Sequence, residues 1–414
     1  MIGVIADDIS GAAEIAGVGL RLGLSAEVLV KGRPSGKADL VCIDTDSRCC
    51  SASEAARRAA AAAKLLRRAG AEWIYKKVDS VLRGQVAAEI LAIWKELRLK
   101  TVLLHPANPS LGRTIKDGQY FIRGRLIHKT EFARDPAHPR RTANVCKLLS
   151  RTPTFPIQVS KLGATLANAG VIICESASPR DVQAWVARTR PDMLLAGGAE
   201  FFAALLATRN AAGARAARPR EPRRGEKRAG GPPTLLPNTG LELFVCGTTS
   251  KSSQKFVRAA RRAGTPVFSL PGELAWGADF TRAALQIVSG QALEAFQSQP
   301  RVILQTGLPP VHEIPVAQRL ARHLTQLAET ILNQSTVKRV YAEGGATAVE
   351  LARRMGWTRL AVLREVAPGV ATLAVGGNQS LQLTIKPGTY VWPDEIQKTP
   401  APRKIKSAQP LKKL

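Results

Sequence analysis

Two adjacent carboxylates, Asp7 and Asp8, follow an apolar segment at the start of the chain. That segment predicts a short buried strand, and the residues from Ser10 onwards predict a loop that opens into a helix. Because ligands bind at the carboxyl ends of strands in open α/β sheets, the pair could hold a substrate hydroxyl, accept a proton or bind a metal. The alternative interpretation is that one aspartate caps the helix, a task that needs a single side chain.

The stretch KKVDSVLRGQVAAEI concentrates charge at the junction between a predicted strand and a predicted helix. The residues at this junction are Lys76, Lys77, Asp79, Ser80, Arg83 and Gly84. Backbone amides at a helix N-terminus favour anions, and so do cationic side chains. The stretch therefore predicts a site for an anionic substrate.

A long polar segment, HPANPSLGRTIKDGQYFIRGRLI, contains Arg113 and Asp117 and predicts a loop followed by a hairpin. The stretch TEFARDPAHP then places Asp135 directly before a proline. Long polar loops between buried strands are usually functional or disordered, and the interleaved apolar residues favour function. The alternative is turn chemistry with solvated charges.

Three loops of glycine and hydroxyl residues follow predicted strands in the second half of the chain. The first, VCGTTSKSS, imitates a phosphate-binding P-loop, but Ser250 stands where the second glycine of that motif belongs. The second, YAEGGATAV, opens a predicted helix whose free amides could bind phosphate, and the third is IKPGTY. A single Gly-Gly turn is more often a helix cap or a tight turn, whereas three such loops in one domain favour a nucleotide site.

Strand-like and helix-like segments alternate on both sides of a basic stretch near the middle of the chain. This rhythm is typical of βα units around a mostly parallel sheet. We therefore expect two α/β domains with mostly parallel sheets, residues 1–208 and 239–396. A basic disordered linker, residues 209–238, joins them, and a basic disordered tail, residues 397–414, follows. Both basic stretches contain too few large apolar side chains to bury a core.

The chain has 414 residues, of which 45% are hydrophobic. This length suits two or three domains of roughly 100 to 200 residues each. No apolar run approaches the roughly 20 residues that span a bilayer, and Met1 leads directly into a predicted strand without a signal peptide, so we expect a cytoplasmic protein. The six cysteines lack metal-binding spacing, which predicts reduced, mostly buried thiols.

The net charge of +28 raises the question of a nucleic-acid partner. Residues 209–233 carry eight basic and two acidic side chains, and residues 398–414 carry six basic ones, so these stretches supply 12 of the 28 charges. Neither stretch contains an aromatic side chain on which a base could stack. We therefore expect neither nucleic acid nor a membrane as the main partner.

In combination, these motifs resemble those of the four-carbon acid sugar kinase family. IADDISGA, KKVDSVLRG, HPANPSLGRTIKDGQY and ARDPAHP resemble its N-terminal motifs, and CGTTS, EGGAT and IKPG resemble its C-terminal ATP-binding loops. The resemblance spans residues 1–395 apart from the linker. It implies transfer of the γ-phosphoryl group of ATP to a terminal hydroxyl of threonate, erythronate or a 3-oxo-tetronate, with the active site in the cleft between the two domains.

The resemblance also implies roles for individual residues. The implied ATP contacts are Ser250, Gly344, Gly345, Ala346, Thr347 and Gly388. Cationic side chains suit a carboxylate and aspartates suit hydroxyls. The implied substrate contacts are Asp7, Lys76, Arg83, Arg113 and Asp117. Asp8 and Asp79 are the candidates for the catalytic base or orienting group, and the sequence does not choose between them. Mg²⁺ is expected with ATP, without an identified protein ligand, and a homo-oligomer is left open.

The chain departs from the family pattern at Thr248, Ala346 and Val391. Backbone amides can still hold phosphate without the side chains that the family carries there. The alternative function is therefore a catalytically degenerate nucleotide-binding or RNA-associated basic protein on the same fold.

Overall fold

The computed structural model describes residues 1–135, 138–149, 155–216, 240–276, 278–308, 313–376 and 378–398. These residues form two units. The first comprises residues 1–216 together with 357–376, and the second comprises most of residues 240–356 together with 378–398. Each unit contains a mostly parallel sheet with helices packed against it, so the predicted α/β class is confirmed.

The described residues up to 216 contain the first group of elements. The strands are β1 (Ile2–Ala6), β2 (Ala26–Leu29), β3 (Leu40–Asp44), β4 (Trp73–Lys77), β5 (Thr101–His105), β6 (Arg113–Lys116), β7 (Gln119–Ile122), β8 (Arg125–Leu126), β9 (Ile157–Ser160), β10 (Gly170–Cys174) and β11 (Met193–Gly197). The helices are α1 (Ile9–Arg21), α2 (Ala52–Arg68), α3 (Val86–Leu97), α4 (Val145–Leu149), α5 (Pro179–Val186) and α6 (Ala199–Ala216).

The described residues from 240 onwards contain the second group. The strands are β12 (Leu241–Cys246), β13 (Val267–Ser269), β14 (Arg301–Gln305), β15 (Val337–Glu343), β16 (Arg359–Ala367), β17 (Val370–Val375) and β18 (Asn378–Lys386). The helices are α7 (Lys251–Arg262), α8 (Arg282–Ser298), α9 (Ile314–Asn333), α10 (Gly345–Arg354) and α11 (Asp394–Gln397).

The main sheet of the first unit has the strand order β17-β16-β2-β3-β1-β4-β11-β5-β10-β9. The eight strands β2, β3, β1, β4, β11, β5, β10 and β9 are parallel to one another. Strand β16 is antiparallel to both β2 and β17. The chain leaves β1 towards β2 on one side and leaves β4 towards β5 on the other. The carboxyl ends of β1 and β4 therefore flank a topological switch point, which is where open α/β sheets bind ligands.

The sheet of the second unit has the strand order β13-β14-β12-β15-β18, and all of its strands are parallel. The chain leaves β12 towards β13 on one side, and β15 lies on the other side of β12, next to β18. A second switch point therefore separates the carboxyl ends of β12 and β15. The three glycine-containing loops of the sequence follow β12, β15 and β18.

The central strands of both sheets are mostly buried, and β1, β3, β10 and β11 consist almost entirely of buried apolar residues. Helices on both faces explain these apolar runs, because a parallel sheet must be covered on each side. Each fully buried Leu, Ile or Val contributes about 1.5–3 kcal/mol. Among the helices that the structure describes, none is both long and apolar enough to cross a bilayer.

Residues 357–376 lie with the first unit, although the predicted second domain, 239–396, includes them. Strand β16 pairs with β2, and helix α1 packs against β16, where Gly17 leaves room for the Glu365 side chain. Glu365 also forms an ion pair with Arg21 at the end of α1. These partners are more than 300 residues apart in the chain, so local sequence patterns carry no signal for their pairing.

The predicted linker begins too early, because helix α6 continues to Ala216 rather than ending before residue 209. Its last residues, NAAGARA, include four alanines, and alanine is the best helix former. The Arg209 guanidinium lies 4.3 Å from the ring centroid of Trp73 on β4. The rest of the predicted linker, residues 217–238, and the predicted tail from residue 399 onwards lie outside the described residues.

The six cysteines are free thiols. Cys42, Cys174 and Cys246 are buried in strands, Cys50 and Cys146 are half-buried, and Cys49 is exposed. Half of the thiols are therefore fully enclosed, in line with their positions in apolar runs.

Candidate active-site regions

The side chains of Asp7 and Asp8 share one arginine, Arg48. The Arg48 guanidinium donates from Nε and Nη2 to the two Asp7 carboxylate oxygens, over 2.7 and 2.9 Å, and from Nη1 to Asp8 Oδ2, over 2.8 Å. Arg48 follows β3, which pairs with β1, so both strands end at the same edge of the sheet. Burial raises the pKa of the Asp7 carboxyl, but the Arg48 charge and hydrogen bonds outweigh it and hold that pKa below its usual value.

Asp8 caps helix α1, so the capping interpretation is confirmed for one of the two aspartates. Its Oδ1 accepts from the Gly11 backbone amide over 2.8 Å, and its Oδ2 accepts from the Ser10 hydroxyl over 2.5 Å. The Asp8 side chain keeps 13% of its surface exposed, compared with 2% for Asp7. Of the two, Asp8 is therefore the aspartate that a ligand can reach.

Asp79 is enclosed by its own loop and by Arg83. The Arg83 guanidinium donates from Nη2 to Asp79 Oδ1 over 2.7 Å and from Nε to Oδ2 over 3.0 Å, while the amides of Val81 and Arg83 also donate to Oδ2. Arg83 reaches Asp135 over 3.1 Å as well. Although burial alone would raise the pKa of Asp79, Arg83 and Arg48 hold it well below its usual value.

Lys76 and Lys77 are buried and each pairs with a carboxylate on a different helix. Lys76 is fully enclosed and its ammonium lies 3.0 Å from Glu89 on α3, whereas Lys77 lies 3.1 Å from Glu14 on α1. Burial raises the pKa of Glu89, and the nearby Lys76 only partly offsets it. Lys76 is thus held inside the protein instead of lying open to a substrate.

Arg113 and Asp117, both on the hairpin of β6 and β7, lie in different surroundings. The Arg113 guanidinium donates to the Ser80 hydroxyl, which joins it to the Asp79 loop. Asp117 lies in the turn with φ 49° and pairs with Lys161 over 2.7 Å, both side chains being more than 60% exposed. The structure therefore brings Arg113 to the other charged residues and does not bring Asp117 there.

The three glycine-containing loops of the second unit are joined by hydrogen bonds. The Ser250 hydroxyl caps α7 and donates to the Gly388 carbonyl over 2.7 Å, and the Ser252 hydroxyl donates to the Thr389 carbonyl over 3.3 Å. A Cβ atom on Gly247 would lie 1.9 Å from the Thr347 hydroxyl oxygen, so only glycine fits there. The first loop is thereby held against the second and the third.

Helix α10 begins at Gly345 with its first amides uncapped by any side chain. The capping residue is Gly344, which has φ 97°, a conformation that favours glycine. Ala346 is exposed in the first turn and Thr347 is buried. A helix N-terminus of this kind presents backbone N–H groups and the positive end of the helix dipole to an anion such as a phosphate.

Two buried charges connect the strands that precede these loops. Glu343 ends β15 and Lys386 ends β18, and their side chains form an ion pair of 2.5 Å with both groups almost fully enclosed. Glu343 also accepts from the Ser253 hydroxyl of α7 over 2.6 Å, and Lys386 donates to the Tyr390 carbonyl over 2.6 Å. Burial lowers the pKa of Lys386, and Glu343 offsets this only in part.

Sequence reasoning missed Arg48 and Glu343 as members of these clusters. Glu343 ends a predicted strand, so the strand-end rule that singled out Asp7 would have found it, whereas Arg48 lies four residues beyond the end of β3. Arg48 was not predicted because TDSRCC contains no glycine-rich or repeated pattern. Glu343 was not predicted because the motif was assigned to the adjacent glycines.

Two domain families match the chain. A sugar-binding N-terminal domain matches residues 2–205, and a nucleotide-binding C-terminal domain matches residues 243–390. A 3-oxo-tetronate kinase of Methylobacterium radiotolerans is 27% identical and a D-threonate kinase of Cupriavidus necator is 29% identical, and each alignment covers 94% of this chain and at least 94% of the relative. A D-threonate kinase of Salmonella typhimurium is 30% identical over 48% of this chain and 52% of its own length.

Solved structures share the fold. A Salmonella typhimurium protein superposes with a TM-score of 0.75 at 19% identity, and a Haemophilus influenzae protein with a TM-score of 0.65 at 20% identity; each comparison covers 94% of this chain and 96% of the other. Together with the two domain matches, the relatives define the class: the chain belongs to the four-carbon acid sugar kinase family. It is a kinase with a nucleotide-binding domain.

Proposed function

We propose that the protein transfers the γ-phosphoryl group of ATP to a terminal hydroxyl of a four-carbon sugar acid of the threonate, erythronate or 3-oxo-tetronate type. The observation that carries this proposal is the cluster at the β1–β4 switch point, where Asp8 and Arg48 come together. A partly exposed carboxylate suits a sugar hydroxyl and a guanidinium suits a carboxylate. The names of the relatives support the same class of substrate.

Asp8 is the better candidate for the residue that accepts or orients the hydroxyl proton. The strongly lowered pKa of Asp79 makes it a weak proton acceptor, and its side chain is 8% exposed compared with 13% for Asp8. Asp79 then acts as a positioning residue that fixes the Arg83 guanidinium. Arg83 and Arg113 each have a partner within the cluster and are each partly exposed, so an anionic substrate could still approach their guanidinium groups.

The second unit supplies the proposed ATP site. The amides at the start of α10, together with Ser250 and Gly388, would hold phosphate oxygens, and the close fit of Gly247 against Thr347 fixes the shape of that cradle. Mg²⁺ carried by the phosphates would neutralise charge during transfer. No group of three or more His, Cys, Asp or Glu side chains suited to a metal occurs in the described ranges, so we expect the phosphates to supply most ligands of the ion.

A substrate panel tests the function. Purified protein with ATP and Mg²⁺ should form ADP only when a threonate, erythronate or 3-oxo-tetronate isomer is added. Asp8→Asn should lower kcat by about 10²–10⁴-fold if Asp8 handles the hydroxyl proton. The matched control is Asp192→Asn, which removes a 40% exposed carboxylate before β11 and should leave kcat unchanged. No turnover with any isomer, combined with no ATP binding in calorimetry, would contradict the proposal.

A further inference from the structure

A cavity of about 480 Å³ lies beside the N-termini of α2 and α3 in the first unit, apart from the Asp8–Arg48 pair. Its polar lining residues are cationic or neutral: Gln85, His138, Arg140, Arg141, Thr142 and Lys147. None of the described residues that line it is acidic. The volume falls within the usual range for small-molecule sites. The charged side chains of the lining are therefore all positive, whereas the cluster around Arg48 contains both arginine and aspartate side chains.

Arg140 is the most buried cationic residue that lines this cavity. It is 8% exposed, and its guanidinium donates to two carbonyl oxygens, those of His138 and Leu82, each over 2.8 Å. No carboxylate forms an ion pair with it among the described residues. A buried guanidinium without a paired anion is costly, and burial accordingly lowers the pKa of Arg140. The charges of Asp79 and Asp135 offset this only in part, so an oxyanion in the cavity would add a directly paired partner.

The surroundings of Arg140 add further donors. Arg141 and Lys147 line the same cavity with exposed side chains that can approach an anion. Helix α3 has twelve residues, its capping residue Gln85 makes no side-chain cap bond, and Ala87 and Ala88 of its first turn also line the cavity. The amides of that turn add the positive end of a helix dipole to the three cationic side chains.

His138 connects the cavity to the charged cluster. Its ring Nε2 lies 2.9 Å from the Arg48 carbonyl, and its backbone amide donates to Asp135 over 2.8 Å. Asp135 in turn binds Arg83. The stretch HPRR, residues 138–141, therefore lies between this cavity and the candidate substrate region.

We propose that this cavity is an oxyanion site in which Arg140, Arg141 and Lys147 bind a carboxylate or phosphate group. Two sources share this chemistry: the carboxylate of the sugar-acid substrate, an option that rests on the proposed function, and a free phosphate anion that binds apart from the substrate. A planar guanidinium can bind either group in a bidentate manner.

Direct binding to the full-length protein tests the site without requiring turnover. Inorganic phosphate and D-threonate are titrated separately in nucleotide-free buffer, with ionic strength kept constant by sodium chloride. The cavity variant is Arg141→Met with Lys147→Met, whose exposed side chains can be removed without opening the core. The matched control, Arg68→Met with Lys100→Met, removes the same charges at the end of α2 and before β5, at the opposite edge of the sheet.

Phosphate binding that weakens about tenfold or more in the cavity variant and not in the control would support a site for free phosphate. D-Threonate binding that weakens in this way, without phosphate binding, would support the substrate carboxylate as the source. Unchanged affinity for both ligands in the cavity variant, equal weakening in both variants, or no binding of either ligand to the parent would overturn the proposal. These titrations measure binding and not ADP formation, so their results can be interpreted even if the protein shows no kinase activity.

Discussion

Lys76 and Lys77 are adjacent residues of β4, and both are buried beside a carboxylate of a different helix. Adjacent residues of a strand point to opposite faces of the sheet, so two neighbouring lysines need two different partners. Glu89 on α3 serves one and Glu14 on α1 serves the other. Removing either carboxylate would leave a buried ammonium uncompensated, at a cost of about 3–5 kcal/mol. The two lysines therefore connect β4 to α3 through one ion pair and to α1 through the other.

His105 gives the first unit a pH-dependent stability. It ends β5, is fully buried and stacks on Phe201 with ring centroids 4.8 Å apart. Burial lowers its pKa from 6.5 to about 4. Between pH 6.5 and about 4 the unfolded chain therefore binds a proton at His105 and the folded protein does not. The free energy of unfolding is consequently unaffected by the titration of His105 above pH 6.5 and decreases as the pH falls towards 4.

The variant His105→Gln isolates this effect because glutamine does not titrate. Between pH 7.5 and 4.5 the parent should lose about 2 kcal/mol more of its free energy of unfolding than the variant does. Chemical denaturation at both pH values measures the difference. An equal loss in parent and variant would show that His105 takes up its proton in the folded state as readily as in the unfolded one.

At the residue scale, the sequence could predict side chains that lie next to each other in the chain. Asp7 and Asp8 were found because they directly follow a strand. Arg48 was not, because it lies four residues beyond the end of β3 in a stretch without a recognisable motif. Asp117 was predicted to contact substrate but pairs with Lys161, since a hairpin turn can face either way and the sequence of the turn does not say which.

Among elements, the buried pair of Glu343 and Lys386 connects β15, β18 and α7, and thus the three proposed ATP loops. Glu343→Gln should leave the Lys386 ammonium without its counter-ion. We expect a loss of about 3 kcal/mol in the free energy of unfolding. We also expect about tenfold weaker ATP binding, because the loops lose their preorganisation. Denaturation and calorimetry measure the two quantities.

The same sheet offers a matched control at its opposite end. Glu242, near the start of β12, is equally buried and pairs with Arg301 over 2.7 Å and with Arg339 over 2.9 Å. Glu242→Gln should lower stability by a similar amount while leaving ATP affinity unchanged. If both variants weakened ATP binding equally, Glu343 would be a general stabilising residue without a positioning role.

The alternation of strands and helices was predictable because each βα unit has a local hydrophobic periodicity and turn residues that indicate it. The hairpin of β16 and β17 was assigned to the wrong unit because its partners β2 and α1 are specified near the other end of the chain. Likewise, helix α6 extended past the predicted boundary because the composition of NAAGARA suits both a helix and a disordered stretch.

For the whole molecule, we expect the two units to separate the tasks of binding sugar acid and binding ATP. Asp8→Asn should reduce turnover and leave ATP affinity nearly unchanged. Gly344→Val should weaken ATP binding by about tenfold or more, because valine resists the φ of 97° at the N-cap of α10. Calorimetric titration of ATP into each variant measures the separation.

Gly356→Val is the control for backbone strain. Gly356 follows the same helix at its other end with φ 67° and open space around it, so this variant should lose stability without losing ATP affinity. A loss of ATP binding in Asp8→Asn as large as its loss of turnover would show that the tasks are not divided between the units in this way.

The return of residues 357–376 to the first unit has a consequence for synthesis on the ribosome. The first unit is discontinuous, since its chain departs after α6 and its remaining strands, β16 and β17, follow only once β12 to β15 have been made. Until then β2 is an edge strand with unpaired backbone groups, which are prone to pair with other chains. The nascent first unit is therefore incomplete for more than a hundred residues of elongation, and a chain truncated after α6 would keep that open edge permanently.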